Sequence, residues 1–349
     1  MSSRAPRLTL TVLVALAALG ASACIPTANF DERSKVKSPR ILAIVADHPE
    51  LGPGDSTTLS VLFADPLGGG RAVKYRWTAC VATESLGGGG AGLNGAQYGM
   101  QEAAAGCSDP AAAYDLGEGE TALLVAPPEA TIDVLVARFR ELVGSAISDA
   151  YVERLLTDVG LQLTVQVAVY TDGAAGEELL TTGFKRVVVS RRAEKGTNPP
   201  RPRFAVGDYG VISAYAPGGS GFDCLTESGE PLVVPPRTSL ALRPDPTPQD
   251  PLDTATDEPW TLDATCTDTD PVTECYGILD PQGFFTNKPE GAFYSWLITA
   301  GELFEGTTLR PARDDEWTSP AAPGDVTMWV ITRDGHGGTA ACRATITVR

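Results

Sequence analysis

The stretch Leu161–Gly173, LQLTVQVAVYTDG, decides the fold class of this chain. Every second residue is apolar and faces one way: Leu161, Leu163, Val165, Val167 and Val169. The residues between them are polar or small, and they face the other way. A period of two with many β-branched residues is typical of a strand that buries one face. The closing Asp172-Gly173 is a turn signal, and FKRVVVS beyond it supplies the next strand.

The same alternation recurs on both sides of this stretch and forms a repeat. DSTTLSVLFADP and RAVKYRWTAC in the first half are echoed by TSLALRPDP and GAFYSWLITAG in the second. Both halves contain Tyr-x-Trp, at Tyr75–Trp77 and Tyr294–Trp296. The C-terminal VTMWVITRDGHGGTAACRATITVR predicts a hairpin that turns at Asp334-Gly335. We therefore expect a mainly β protein with two β-sandwich domains, whose cores bury Trp77 and Trp296.

One segment departs from the strand pattern. Within residues 131–158, apolar residues follow helical spacing on both sides of Gly144: Ile132, Leu135, Val136, Phe139, Val143, Ile147, Tyr151 and Leu155. This spacing predicts two short helices inserted into the first domain.

The domain boundaries follow from composition. About 325 residues remain after the N-terminal leader, too many for one ordinary core. The segment RRAEKGTNPPRPR is rich in proline and basic residues, which is typical of an interdomain linker. We place the first domain at residues 39–191, the linker at 192–203 and the second domain at 204–349.

The N-terminus has the parts of a secretory signal peptide. Arg4 and Arg7 precede thirteen uncharged residues, Leu8–Gly20, and three small residues then lead to Cys24. The apolar run is too short to remain as a spanning helix. The leader resembles a bacterial lipoprotein signal, in which the first mature residue is an acylated cysteine. This resemblance implies a signal peptide at 1–23, a lipid on Cys24, a flexible tether over 24–38 and, because Ile25 follows, the outer membrane. The alternative is an ordinary secreted protein with an incidental Cys24.

The other six cysteines favour disulfides, because an exported chain meets an oxidising compartment. Six cysteines allow fifteen pairings. Proximity favours Cys80–Cys107 and Cys266–Cys275, which leaves Cys224–Cys342. No C-x-x-C pair occurs and the two histidines stand apart in the sequence, so we expect neither a metal site nor a cofactor.

The net charge, the two histidines and two of the tryptophans limit the classes of function that the sequence allows. The net charge is −17, and losing Arg4 and Arg7 with the leader makes it −19, so nucleic acid is a poor partner. His48 and His336 lack an evident residue to orient them, and no catalytic residue is predicted. Trp260 and Trp317 lie in acidic, turn-rich segments. We expect them to be exposed and to form a binding surface, with half-buried loop packing as the alternative.

Several short motifs add a resemblance to bacterial Ig-like and PKD-like modules, and more narrowly to surface lipoproteins of myxobacterial type. The residues that carry it are Pro53-Gly54-Asp55, the two Tyr-x-Trp motifs, Ser295–Gly301, Arg333-Asp334-Gly335 and Gly337-Gly338. The resemblance implies a fold rather than an activity. We expect a non-catalytic, membrane-tethered envelope module that binds a surface protein or polysaccharide, or has a structural role. Binding should fall on the second domain, farthest from the lipid. The alternative is an exported hydrolase or its accessory subunit.

Overall fold

The protein is mainly β and contains two Ig-like sandwich domains, as the sequence predicts. The computed structural model describes residues 31–81, 113–143, 148–199, 201–215, 221–226, 228–244, 275–279, 285–289, 293–309 and 314–349.

The first domain has eight described strands in two sheets. They are β1 (Arg40–Ala46), β2 (Glu50–Leu51), β3 (Ser56–Ala64), β4 (Val73–Val81), β5 (Ala113–Glu118), β6 (Thr121–Val125), β7 (Leu161–Gly173) and β8 (Gly176–Val189). One sheet has the order β1-β3-β6 and the other β2-β8-β7-β4-β5. Neighbours are antiparallel except β2 and β8, which run parallel. This division of consecutive strands between two facing sheets is that of an Ig-like sandwich.

The inward faces of these sheets form the first core. The alternating apolar residues of β7 are all buried, as predicted. Trp77 of β4 lies opposite Val167 of β7 and is fully buried, and its indole N–H donates to the Gly119 carbonyl at 2.8 Å. A buried Trp needs such an acceptor, because an unsatisfied indole N–H is costly away from water.

The second domain repeats this arrangement with added strands. They are β9 (Phe204–Val206), β10 (Gly210–Tyr215), β11 (Cys224–Thr226), β12 (Leu232–Val234), β13 (Ser239–Pro244), β14 (Cys275–Leu279), β15 (Phe285–Pro289), β16 (Phe293–Ile298), β17 (Glu302–Leu303), β18 (Thr307–Leu309), β19 (Asp315–Thr318), β20 (Gly324–Arg333) and β21 (Thr339–Val348). The sheets have the orders β11-β10-β9-β13-β19-β17 and β12-β21-β20-β16-β18, with β14-β15 as a separate hairpin. Strand β12 runs parallel to β21, as β2 does to β8.

Trp296 and the closing hairpin β20–β21 behave as predicted. Trp296 is fully buried, and its indole N–H donates to the Thr308 hydroxyl at 3.0 Å. The ring of Phe204 from the facing sheet meets it edge-on, at a centroid distance of 5.7 Å. Such edge-to-face pairs stabilise a core beyond the area that they bury.

The helical insertion of the first domain is also confirmed. After the short N-terminal α1 (Asp31–Ser34) come α2 (Glu129–Val143), α3 (Asp149–Arg154) and a π-helical turn at Leu155–Val159. Ser148 caps α3 by accepting a hydrogen bond from the Tyr151 backbone N–H. Ile132, Val152 and Leu155 are buried and fix the insertion to the first core.

The two domains share a third apolar cluster, which forms the joint between them. Its buried members come from β1, β3, β16, β20, β21 and the segment before β1: Val36, Leu42, Ala43, Leu62, Ala64, Leu297, Trp329, Ile331 and Ala341. Strand β20 is therefore buried on both faces, with Met328 and Val330 in its own core and Trp329 and Ile331 against the first domain. Burial of apolar surface at this scale favours a fixed arrangement.

A second contact between the domains comes from the hairpin β14–β15. Phe285 packs against the core of the first domain. Its ring lies 5.1 Å from that of Tyr151, and the guanidinium of Arg154 lies 4.6 Å from its centroid. The hairpin thus reaches from the second domain onto the helical insertion of the first.

The flexible tether predicted for residues 24–38 is wrong at its C-terminal end. The Val36 N–H donates to the Ile298 carbonyl at 2.8 Å, and the Val36 side chain is buried. Within the described residues, the segment before β1 thus contacts the second domain as well as the first. A single apolar residue between Lys35 and Lys37 is too weak a pattern to predict this docking.

The predicted linker, residues 192–203, is held in place by hydrogen bonds. The Gly196 N–H donates to the buried Glu50 carboxylate at 2.7 Å. Asn198 donates to the Ala46 carbonyl at 2.7 Å and accepts from the Thr339 N–H at 2.9 Å. One amide side chain thereby contacts both domains.

Candidate functional site

Trp317 is a core residue, and the prediction that it is an exposed binding residue is wrong. It lies in β19, is fully buried, and donates its indole N–H to the Ala300 carbonyl at 3.2 Å. Its strand pairs with β13 and β17, with Leu240 and Leu303 opposite the tryptophan. Trp260, the other predicted binding residue, lies outside the described residues.

The acidic neighbourhood of Trp317 suggested exposure, but Asp315 is itself buried. Its carboxylate accepts backbone N–H groups from Glu305 at 3.0 Å, Gly306 at 2.8 Å and Glu316 at 2.7 Å. A buried carboxylate needs this kind of compensation. Asp315 thus fixes the loop after β17, and the alternation of buried Asp315, exposed Glu316 and buried Trp317 is a strand pattern.

The structure confirms one of the three predicted disulfides. Cys224 of β11 is bonded to Cys342 of β21, which joins the two sheets of the second domain. Cys80 is disulfide-bonded, and its predicted partner Cys107 lies outside the described residues. Cys24 and Cys266 also lie outside them, and for Cys275 only the backbone in β14 is described. The pairing of these residues stays a prediction.

A cleft of about 500 Å³ lies beside the helical insertion. Val136 of α2 and Val152 of α3 form its apolar floor, and both are buried. Ala137 and Ala150 also line it. The remaining lining residues are charged and come from both helices and the end of the first domain: Asp133, Arg140, Asp149, Glu153 and Arg191. Concave sites with an apolar floor and a few fixed polar groups are typical of binding sites.

Ion pairs hold the charged rim of the cleft. Arg191 donates to Glu153 at 2.6 Å, to Asp133 at 3.1 Å and also to Glu129. Burial works to lower the pKa of Arg191, but its hydrogen bonds to Glu129 and Glu153 raise it above the ordinary value. Arg140 of α2 joins Asp149 of α3 at 2.6 Å. The rim therefore presents paired charges of both signs on largely exposed side chains, an arrangement suited to a polar or charged ligand.

The two histidines lie away from this cleft. The His48 backbone N–H donates to the Thr57 hydroxyl at 2.8 Å, and the His336 N–H donates to Asp334 at 2.7 Å. Neither histidine lines the cleft, and no serine does. Among the residues that the structure describes, no group of three or more His, Cys, Asp or Glu side chains is placed to hold a metal ion.

Among the described residues, a strongly shifted pKa belongs to a lysine at the joint, the contact surface between the two domains. Lys185 of β8 is buried, and its ammonium donates to the Gly337 carbonyl and, at 3.0 Å, to the Thr339 hydroxyl. Desolvation lowers its pKa to about 8; the charge of Asp334 opposes this shift and that of Arg333 adds to it. Burial also shifts the pKa of Asp334, which it raises because the charged form of a carboxylate is disfavoured away from water.

The sequence contains one signal that Lys185 is unusual, which is its position in strand β8. Strand β8 pairs Leu163 with Val187 and Val165 with Lys185, so the lysine occupies an inward position. A lysine inside an apolar alternation needs acceptors from elsewhere, because a buried ammonium is costly without them. Here the turn between β20 and β21 supplies them.

Comparisons with known proteins add little to this description. No known protein family matches the sequence, and no curated protein does. Solved structures similar to the chain include three N-terminal domains of the bacteriophage RB49 highly immunogenic outer capsid protein, at 10% identity and a TM-score of 0.19, over 89% of this chain and 59% of that one. Another is SGBP-B of the Bacteroides ovatus mixed-linkage glucan utilization locus, solved with a heptasaccharide, at 9% identity and a TM-score of 0.18, over 90% and 48%.

The D0-D1 domain of intimin is a third, at 7% identity and a TM-score of 0.17, over 88% of this chain and 98% of that one. With TM-scores this low, none of the three bears on the function of this protein. No helix within the described residues is long and apolar enough to cross a membrane.

Proposed function

We propose that this protein is a lipid-anchored, non-catalytic protein of the bacterial cell envelope, in which two Ig-like domains form one rigid binding module. The observation that carries the proposal is the joint between the domains. An apolar cluster, the Lys185 ammonium and the bridging Asn198 all cross it. A module held in this way presents its surfaces in a fixed orientation, which a flexible pair of domains does not.

The cleft beside the helical insertion is the proposed binding surface. It interrupts an otherwise regular sandwich, it is concave, and ion pairs fix its rim. Paired charges of both signs suit a surface protein or a charged polysaccharide of the envelope.

The anchor is tested on the N-terminus of the mature protein. Intact-mass analysis should find the chain beginning at Cys24 with diacylglycerol attached. Cys24→Ser should release the protein from membranes or leave the leader uncut. A mature chain that starts at another residue, or an unmodified Cys24, contradicts the anchor.

The binding surface is tested by filling the cleft without disturbing its ion pairs. Ala137→Trp places a large ring among the lining residues, and Ala130→Trp places the same ring on α2 outside the lining. The probes are purified envelope polysaccharide and solubilised surface proteins of the source bacterium. Ala137→Trp should weaken retention by about tenfold or more, and Ala130→Trp should not. If the two variants retain the probes equally well, the cleft is not the binding surface. If the parent protein retains neither probe, a structural role is what remains of the proposal.

A further inference from the structure

Strand β6 is an edge strand without the usual protection. It lies at the end of the β1-β3-β6 sheet, and its residues Thr121–Val125 carry no charge. Its register with β3 runs without a bulge from Ser56 to Ser60. Leu123 and Val125 are 58% and 50% exposed. Natural edge strands are normally shortened, charged or bulged, because unpaired backbone groups and apolar side chains invite pairing with another chain.

The other described sandwich edges show such protection. Strand β1, at the opposite edge of the same sheet, has a register shift against β3 and packs Leu42 and Ala43 against the second domain. Strand β5 has a register shift against β4 and contains Asp115 and Glu118. Strands β2, β11, β12, β17 and β18 have only two or three residues each. Among these edges, β6 alone combines five residues, regular pairing and the absence of charge.

The hydrogen bonds around β6 show which backbone groups point outward. The Ala126 N–H donates to the Asp55 carbonyl at 2.8 Å, and the Val61 N–H donates to the Glu120 carbonyl at 3.3 Å. In an antiparallel ladder such hydrogen-bonded pairs alternate with pairs whose backbone groups point away. Even-numbered residues of β6 therefore bond to β3. The backbone groups of Thr121, Leu123 and Val125 point to the open edge.

The outward-pointing backbone groups of these three residues can pair with the same groups in a second copy of the chain. In an antiparallel arrangement around a two-fold axis at Leu123, each Leu123 faces the other, and each Thr121 faces Val125. All three pairs join residues whose backbone groups point outward, so each pair exchanges two hydrogen bonds. On the inner face, Ala122 of one copy meets Leu124 of the other, and these buried residues continue the core.

The charges flanking β6 permit this register. Glu120, the residue before β6, meets Ala126 of the second copy and therefore faces no carboxylate. Glu118 belongs to β5 in the other sheet, where it accepts a hydrogen bond from Arg76. A two-fold axis makes the contact isologous, so that it closes as a dimer and does not grow into a fibre.

We propose that two copies of this chain pair through β6, antiparallel and centred on Leu123, to form one continuous six-stranded sheet. The pairing of five residues buries less area than a standard interface, so the dimer is weak. Each chain has a net charge of −17, so the copies repel each other at long range and added salt strengthens the pairing. The proposal does not depend on the lipid anchor or on the cleft.

Analytical ultracentrifugation of the protein as recovered from cells, at micromolar to millimolar concentration, tests the association. A reversible dimer that strengthens with salt is expected. Leu123→Lys puts two ammonium groups directly opposite each other and should weaken the dimer by about tenfold or more. Leu179→Lys changes another exposed leucine, on β8, and should leave the dimer unchanged. A protein that stays monomeric, a dimer indifferent to Leu123→Lys, or a dimer that salt dissociates overturns the proposal.

Cross-linking tests the register. A short thiol-specific cross-linker should join two copies of Leu123→Cys more than it joins the parent chain. Thr121→Cys alone should show no increase, because its neighbour in the second copy is Val125. The double variant Thr121→Cys, Val125→Cys should regain the cross-link. Efficient linking of Thr121→Cys alone points to another register and contradicts the axis at Leu123.

Discussion

The ammonium of Lys185 in the first domain lies 3.0 Å from the hydroxyl of Thr339 in the second. The same ammonium donates to the Gly337 carbonyl, and Arg333 beside the turn donates to the Leu42 carbonyl of the first domain at 3.2 Å. The buried Lys185 and the half-buried Arg333 thus link the turn between β20 and β21 to the first domain. Neither bond forms unless the two domains are in contact.

Above about pH 8, where folded Lys185 is largely uncharged, Lys185→Met should lower the free energy of unfolding by about 1–3 kcal/mol, because it leaves the Gly337 carbonyl and the buried Thr339 hydroxyl without their donor. Lys74→Met is the matched control. Lys74 bonds to Asp172 and Glu177 on an exposed face, so its loss should cost less than about 1 kcal/mol. Urea denaturation measures both, and equal effects would contradict the role of the joint.

Stability should rise with pH above about 8. The pKa of folded Lys185 is lowered to about 8 by burial, against 10.5 ordinarily. Between these values the unfolded chain holds a proton that the folded chain has released, so raising the pH favours folding by up to about 3 kcal/mol. Below about pH 8 this residue contributes no slope. Denaturation at several pH values should show the rise in the parent and not in Lys185→Met, while the buried tyrosines affect both equally.

Trp329→Ala should loosen the joint while leaving the two sandwiches folded. Trp329 lies in the apolar cluster between the domains, and removing a buried tryptophan typically costs about 3–5 kcal/mol. Limited proteolysis should then cut within residues 192–203 faster, and small-angle scattering should show a larger radius of gyration. Phe304→Ala removes an exposed aromatic ring and should change neither.

Trp317→Ala should destabilise the second domain by about 3–5 kcal/mol, because the ring is fully buried and its N–H is bonded to the Ala300 carbonyl. Thermal denaturation measures the loss. A variant that keeps its stability and loses ligand binding would restore Trp317 as a binding residue.

Removing the Cys224–Cys342 disulfide should cost about 3–5 kcal/mol, because its 118-residue separation makes the unfolded loop long. Cys224→Ser with Cys342→Ser, compared with the parent under non-reducing conditions, gives the value. If reducing the parent protein leaves its free energy of unfolding unchanged, the Cys224–Cys342 disulfide does not stabilise this domain.

Sequence reasoning recovers the elements whose pattern is local. The alternation in β7, the buried Trp77 and Trp296, the closing hairpin and the helical insertion are all readable because each depends on a period within a few residues. The Cys224–Cys342 pair follows from elimination among few cysteines.

What sequence reasoning misses depends on contacts between distant segments. Trp329 and Ile331 form a continuous apolar run with Met328 and Val330, and such a run signals a strand buried on both faces. It does not say which segment covers the second face. Val36 and Lys185 are single residues whose partners lie far along the chain. The sequence predicts an exposed Trp317 because the nearby Asp315 is charged. The backbone N–H groups that allow Asp315 to be buried come from a contact that the sequence does not reveal.

The docking of Val36 on Ile298 has a consequence for the order of folding. The two residues are roughly 260 positions apart, and contacts of such separation form late. During synthesis the first domain emerges with its joint face uncovered, and apolar faces of this kind promote aggregation until they are buried. Cys224 likewise waits for Cys342, which lies 118 residues further along the chain. The joint face of the first domain therefore stays exposed to solvent until β16, β20 and β21 of the second domain have been made and have packed against it.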